Sequence, residues 1–169
     1  MPEGAGASGD AVTTRIGQTA MLLHAGDRQE ARSRFGALWE ELGLSGDARH
    51  RCMLAHYMAD AQDDPRDELL WDLRALAAAD GRDGGAGRGA GRGAGRGAAR
   101  SAGVSGELLG FHPTLHLNLA ADYMKLGRPA AARIHLRRAR ALCDTLADDV
   151  YGAGVRAAVG RLETWLAGE

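Results

Sequence analysis

Apolar residues recur at intervals of three and four along most of the chain, the spacing that places them on one face of an α-helix. The pattern is interrupted where glycine, aspartate or proline cluster, because these residues end helices or form turns. The interruptions lie at Gly26-Asp27, 43–47, 62–65 and Gly127-Arg128-Pro129. They predict three helical hairpins, at about 11–43, 46–79 and 112–147, and a last amphipathic helix at 149–166. The sequence therefore predicts an all-α domain.

The three hairpins share one spacing of small and large apolar residues. In the first hairpin the steps are four, five, four and three residues: Leu22, Gly26, Ala31, Phe35 and Leu38. The third hairpin repeats these steps: Tyr123, Gly127, Ala132, Leu136 and Ala139. The second has a turn that is three residues longer: Tyr57, Ala61, Leu69, Leu73 and Leu76. Such a recurrence indicates a structural repeat whose hairpins stack on one another.

This spacing resembles the tetratricopeptide repeat (TPR), a helix-turn-helix unit of 34 residues. The segments HRCMLAHYMADAQDDPRDELLWDLRALAAAD and FHPTLHLNLAADYMKLGRPAAARIHL look like the small tetratricopeptide proteins of actinobacteria. The resemblance covers roughly residues 12–79 and 107–167. It implies a right-handed α-α superhelix in which the first helix of each hairpin lines a concave groove. The helix at 149–166 would cap the last repeat.

The resemblance also implies a function. Peptide-binding members of the family hold a partner segment with asparagine, lysine or arginine side chains on the inner face. Asn118 and Arg51 match such positions, Lys125 lies on the same side, and Thr114 and Met58 would flank the groove. We therefore expect a non-catalytic adaptor that binds a protein or peptide partner, although a homodimer contact could fill the same groove. The competing interpretation is that these are ordinary solvated side chains.

A glycine-rich tract interrupts the helical pattern between the second and third hairpins. Residues 84–106 include 10 glycines and no acidic residue, and a flexible insert is predicted at 81–106. Its arginines recur every four residues: Arg88, Arg92, Arg96 and Arg100. The alternative function is an RNA-associated module that uses these arginines for phosphate contact and stacking. The competing interpretation is a tolerated surface insertion. Residues 1–10 are also glycine-rich and are predicted to be disordered.

Composition narrows the class of protein further. The net charge of −1 combines the basic tract with a remainder of 17 basic and 22 acidic residues, so nucleic acid is an unexpected partner for the helices. Aromatic residues make up 5%, too few for a β-sandwich. The 20 arginines against one lysine indicate a high-GC bacterial genome. There is no signal peptide, no membrane-spanning apolar run and no CxxC pair, so we expect a cytoplasmic protein without a membrane partner.

No motif indicates catalysis or a cofactor. The chain contains no GxSxG, HExxH or GxxxxGK[ST] pattern. His112 and His116 are four residues apart, as are Cys52 and His56, which would suit a metal site. His50 and His116 stand where the TPR family buries an aromatic side chain, so we interpret these two as packing residues. The sequence thus predicts no enzyme, no metal and no cofactor.

Overall fold

A computed structural model describes residues 4–82 and 108–168 of the protein. Within these ranges the regular structure is helical and contains no β-strand, so the all-α prediction is confirmed. Single turns of 3-10 helix at Leu109–Phe111 and Cys143–Thr145 lie beside the helices of the third hairpin. The α-helices are α1 (Gly4–His24), α2 (Arg28–Leu42), α3 (Ala48–Asp60), α4 (Pro65–Ala79), α5 (His112–Lys125), α6 (Pro129–Leu142) and α7 (Val150–Ala167).

Helix α1 begins at Gly4, inside the segment 1–10 for which composition predicts disorder. The start of the helix packs against α3. Thr13 Oγ1 lies 3.0 Å from Nε2 of His50, and a Cβ atom on Gly9 would lie 3.5 Å from Cε1 of the same ring. Tertiary packing of this kind stabilises a helix that would be marginal in isolation. The composition of residues 1–10 does not indicate this packing, because His50 is distant in the sequence.

Two of the recurring glycines end their helices in the same way. Gly26 has a φ of 93° and Gly127 a φ of 67°, a left-handed conformation that other residues rarely adopt. In both turns the amide after the glycine donates to the carbonyl five residues back, as in a Schellman ending. The pairs are Asp27 N to Leu22 O at 3.0 Å and Arg128 N to Tyr123 O at 2.8 Å. The first and third hairpins therefore share a turn geometry that explains their shared residue spacing.

The second hairpin turns without a glycine. Ala61 keeps helical dihedral angles, and α4 starts afresh after Asp64. The Asp64 carboxylate accepts a hydrogen bond from Arg66 N at 2.8 Å, while Pro65 takes the first helical position. This N-cap accounts for the three extra residues in the second turn.

The helices pack in consecutive layers. Each contacts the next helix along the chain; in addition, α1 contacts α3 and α5 contacts α7. The core accordingly divides into three clusters, formed by α1–α3, α3–α5 and α5–α7. Trp39 and Trp71 pack edge to face, with ring centroids 5.0 Å apart, and join the first two clusters. Ala31 and Ala132 of the recurring pattern are fully buried, which lets paired helices approach closely.

Residues 83–106 of the predicted Gly-Arg insert fall between the two described ranges. Helix α4 ends in a turn at Gly81, with φ of 67°, and the description resumes at Leu108, which is fully buried in the α3–α5 cluster. Arg88, Arg92, Arg96 and Arg100 lie outside the described residues. Among the helices that the structure does describe, none is long and apolar enough to cross a membrane.

Candidate functional site

A cavity of about 170 Å³ lies between α3 and α5, beneath the first turn of α7. Met53 and Tyr57 of α3 and Leu115 of α5 contribute to its lining. Phe111 and Tyr151 also line it and are unusually exposed for large apolar residues, at 36% and 49%. An apolar cavity of about 150 Å³ is known to hold a benzene molecule. The space therefore suits one large apolar side chain.

The first turn of α7 holds Tyr151 over this cavity. The Tyr151 hydroxyl lies 2.6 Å from Thr114 Oγ1 on α5. The Asp149 carboxylate caps α7 by accepting a hydrogen bond from Gly152 N at 2.8 Å. A Cβ atom on Gly152 would collide with the carbonyl oxygen of Ala147, so the close turn requires glycine. These contacts position the tyrosine ring at the mouth of the cavity.

His56 lies at the inner edge of the cavity and connects three helices. Its Nδ1 is 3.2 Å from Nδ2 of Asn118 on α5 and 3.8 Å from Oδ1 of Asp72 on α4. Its Nε2 is 3.9 Å from Oδ2 of Asp60, one turn further along α3. Burial lowers the pKa of His56, but the contact with Asp72 and the charge of Asp60 together outweigh it, so the pKa lies above its usual value. The imidazole is thus held among an amide and two carboxyl groups.

The strip of surface that runs from the cavity to Asp60 is called here the α3–α5 groove. Met53, Tyr57 and Asp60 follow one another at helical spacing on its α3 side. Thr114 and Asn118 lie on its α5 side. The groove is therefore apolar at one end and acidic at the other.

A pair of carboxyl groups is buried behind the acidic end. Asp72 of α4 is 2% exposed and Asp122 of α5 is 1% exposed. Within the described ranges, Oδ1 of Asp72 and Oδ2 of Asp122 have no hydrogen-bond partner. Burial raises the pKa of Asp122 to about 8, and the charges of Asp72 and Glu68 add to the rise, while Lys125 opposes it. Asp122 therefore holds its proton more tightly than an isolated aspartate does.

The structure brings two of the three expected partner-binding residues to this region. Asn118 contacts His56 in the groove. Lys125 lies beyond the far end, where its Nζ forms an ion pair with Glu68 Oε1 at 2.6 Å and lies 3.5 Å from Asp122 Oδ1. Lys125 therefore joins α5 to α4.

The third expected residue, Arg51, lies elsewhere. Its side chain is 3% exposed, its guanidinium stands 4.5 Å from the centre of the Trp39 ring, and it donates a hydrogen bond to the carbonyl of Gly43. The side chain thus stacks on α2 and holds the turn that follows it. The residue spacing along α3 does not show where the Arg51 side chain points, since its direction depends on contacts with the neighbouring hairpin. Met58, expected at the groove, is also buried, in the α1–α3 cluster, whereas Thr114 does line the cavity.

The histidines on α5 face different neighbours. His116 is 6% exposed, as a packing residue should be, and its Nδ1 lies 3.0 Å from Nδ1 of His135. Burial, then the charges of His135 and Arg138, lower the pKa of His116 to about 4. His112 instead contacts Asp80, with Nε2 to Oδ1 at 3.0 Å. No group of three or more histidine, cysteine or acidic residues in the described part of the chain could hold a metal ion.

Sequence reasoning missed Tyr151 and the buried carboxyl pair. A signal for the pair was present, since Asp122 follows Leu115 and Leu119 by seven and three residues and so shares their buried stripe. Tyr151 gave no such signal, because its place depends on how α7 meets α5. Comparisons of this chain with protein-family models, curated proteins and solved structures find no match.

Proposed function

We propose that the chain is a non-catalytic adaptor of the tetratricopeptide type, which binds a segment of a partner protein in the α3–α5 groove. The observation that carries the proposal is the cavity between α3 and α5. It is apolar, it has room for one large side chain, and its mouth exposes Phe111 and Tyr151. Exposed apolar groups beside a cavity are typical of surfaces that bind other proteins.

The packing of the hairpins supports the proposal that the chain is of the tetratricopeptide type. Three hairpins follow one another, and two of them have the same Schellman turn. Helix α1 contacts α3, the first helix of the next hairpin, and α5 contacts the last helix, α7. In the proposed right-handed superhelix the first helices α1, α3 and α5 line the concave face. Helix α7 covers the last hairpin with Val155 and Val159, as a capping helix does.

The surroundings of His56 support a binding role over a catalytic one. A general base needs a ring nitrogen directed at a reacting group. Nδ1 of His56 faces Asn118 and Asp72, and Nε2 faces Asp60. Both nitrogens are therefore directed at groups that hold the ring in place and join the second hairpin to the third.

Selection of peptides from a random 12-residue phage-display library would test the proposal. The selected peptides are measured by fluorescence anisotropy against the wild type and against Met53→Trp, which fills the cavity. Ile134→Trp is the matched control, because Ile134 is 45% exposed on α6 and lines none of the described cavities. Circular dichroism checks that both variants keep the wild-type helix content.

We expect the selected peptides to share a large apolar residue and to lose at least tenfold in affinity for Met53→Trp, but not for Ile134→Trp. Equal affinity for both variants, or the absence of any selected peptide, would contradict the proposal. Sedimentation equilibrium examines the homodimer in parallel. A stable dimer that Met53→Trp dissociates would show that a second copy fills the groove, and this too would contradict binding of a partner segment.

RNA binding is the second candidate function, and one observation favours it. Helix α6 exposes four arginines and contains no acidic residue: Arg133, Arg137, Arg138 and Arg140. Together with the Gly-Arg tract they could contact a phosphate backbone. Anisotropy with a 20-nucleotide single-stranded RNA tests this in the full chain, in a deletion of 84–106 and in Arg137→Ala/Arg138→Ala. Salt-sensitive binding that either change weakens would support it, and no binding at low salt would exclude it.

A further inference from the structure

The α3–α5 groove has two different ends, and the two helices that form it are parallel. Met53 and Thr114 line its apolar end, and His56 meets Asn118 further along, so α3 and α5 lie side by side and run the same way. Asp60 follows Met53 by seven residues, or roughly 10 Å at the rise of an α-helix. A ligand that fills the cavity and continues along the groove therefore reaches a carboxylate about 10 Å away.

Carboxyl groups outnumber cations at the acidic end. Glu68 and Lys125 already pair with each other at 2.6 Å. His56 stands between Asp60 and Asp72, at 3.9 and 3.8 Å, so both carboxyl groups favour the protonated form of its ring. The buried Asp72–Asp122 pair contacts the same two groups, since Lys125 Nζ lies 3.5 Å from Asp122 Oδ1 and His56 Nδ1 lies 3.8 Å from Asp72 Oδ1. Lys125 and His56 thus face four carboxyl groups in this region: Asp60, Glu68, Asp72 and Asp122. Arg28 also approaches, but it donates to the backbone carbonyl of Asp60, at 2.7 Å, and pairs with the Asp63 carboxylate.

Asp60 is the member of this group that a ligand can reach. Its side chain is 44% exposed. Burial raises the pKa of Asp60, and the negative charges of Asp72 and Glu68 raise it further against the opposing charge of His56. Behind it, Oδ1 of the 2%-exposed Asp72 lacks a hydrogen-bond partner within the described residues and faces His56 at the cavity edge. A cation placed beside Asp60 would relieve this crowding of negative charge.

We infer that the partner segment is both apolar and basic: one large apolar side chain enters the cavity, and an arginine or lysine about three residues away pairs with Asp60. Three residues of extended peptide span about 10 Å, which matches the distance from Met53 to Asp60. This inference rests on the proposed function and specifies its ligand. The chain's own Gly-Arg tract is a poorer occupant, because valine at position 104 is the largest apolar residue within 84–106.

Fluorescein-labelled peptides test the inference directly. The probe is Gly-Phe-Ala-Ala-Arg-Gly, with the reversed order Gly-Arg-Ala-Ala-Phe-Gly as a second probe because the groove fixes no chain direction for an extended ligand. Variants replace the arginine by glutamine or glutamate, or the phenylalanine by alanine. Each is titrated by anisotropy against the wild type, Asp60→Asn and the control Glu40→Gln, which removes one exposed carboxylate of α2 outside the groove.

We expect one of the two probes to bind and the glutamine peptide to bind about fivefold more weakly, as for a partly exposed ion pair. Asp60→Asn should weaken the arginine peptide by the same factor and leave the glutamine peptide unchanged, while Glu40→Gln alters neither. Higher salt should reduce the difference.

Equal binding of the arginine, glutamine and glutamate peptides would overturn the inference and leave the apolar adaptor intact, provided that the alanine peptide fails to bind. Tighter binding of the glutamate peptide would overturn it as well. Failure of every peptide in both orders would overturn the inference and the proposed function together.

Discussion

Asp122→Asn removes one titrating group from the buried carboxyl pair while keeping the size of the side chain. In the wild type the pKa of Asp122 rises from its ordinary value of 3.8 to about 8 on folding. Between about pH 4 and pH 8 the folded chain therefore keeps a proton that the unfolded chain has already released. Because the folded pKa is the higher one, this group stabilises the fold at low pH, and the stabilisation is lost as pH rises towards 8.

The pKa shift of Asp122 sets the size of the change in the free energy of unfolding. Each pKa unit corresponds to about 1.4 kcal/mol, so the free energy of unfolding of the wild type should fall by up to about 1.4 kcal/mol per pH unit on account of Asp122. Over the whole window between the two pKa values this reaches an upper limit of about 6 kcal/mol. Asparagine does not titrate, and its amide can donate to Asp72. We therefore expect the variant to gain stability relative to the wild type as pH rises.

Urea unfolding, followed by circular dichroism at half-unit steps from pH 4.5 to 8.5, measures this difference. The other ionisable groups are the same in both proteins, so their contributions largely cancel when the wild type is subtracted from the variant. Asp67→Asn, at an exposed position in the first turn of α4, is the matched control with which the difference for Asp122→Asn is compared. A flat difference for Asp122→Asn between pH 5 and 8 would refute the account of the carboxyl pair.

Three further outcomes are expected. Gly127→Ala should lower the free energy of unfolding by about 1 kcal/mol, because the φ of Gly127 is 67°. Gly17→Ala should raise the free energy of unfolding by about 0.5–1 kcal/mol, because Gly17 lies within α1 and an added Cβ would meet open space. Urea unfolding of both variants measures the two changes. Phe35→Ala should cost about 3–5 kcal/mol in the same assay, since the ring is fully buried, and a loss below 1 kcal/mol would contradict the assigned core. The ring protons of His116 should titrate in NMR near pH 4 and not near 6.5, and a midpoint above 6 would show that the imidazole is not buried as described.

The sequence was sufficient for the helices and their turns because both depend on local chemistry. Gly26 and Gly127 end helices through their own backbone freedom, and Asp64 starts one through its own carboxylate. The early start of α1 could not be predicted in this way, since the helix is supported by His50, which comes from the next hairpin.

The site was less accessible to sequence reasoning. Asn118 contacts His56 in the α3–α5 groove, but the guanidinium of Arg51 packs on Trp39 and donates to the turn after α2. The direction of the Arg51 side chain depends on the neighbouring hairpin. Helical spacing places Asp122 on a buried stripe, yet only the packing of α4 against α5 shows that Asp72 is its neighbour. The residue pattern thus does not predict side-chain directions or the contacts between hairpins.

Methyl NMR of the full chain, labelled with ¹³C at the methionine ε-methyl groups, tests the central claim most directly. Met53 lines the cavity, while Met21 on α1 and Met124 at the end of α5 lie outside its lining. On titration with the phenylalanine- and arginine-containing peptide, we expect the Met53 resonance to shift and those of Met21 and Met124 to stay in place. A shift at Met21 or Met124 without one at Met53 would contradict binding in the α3–α5 groove.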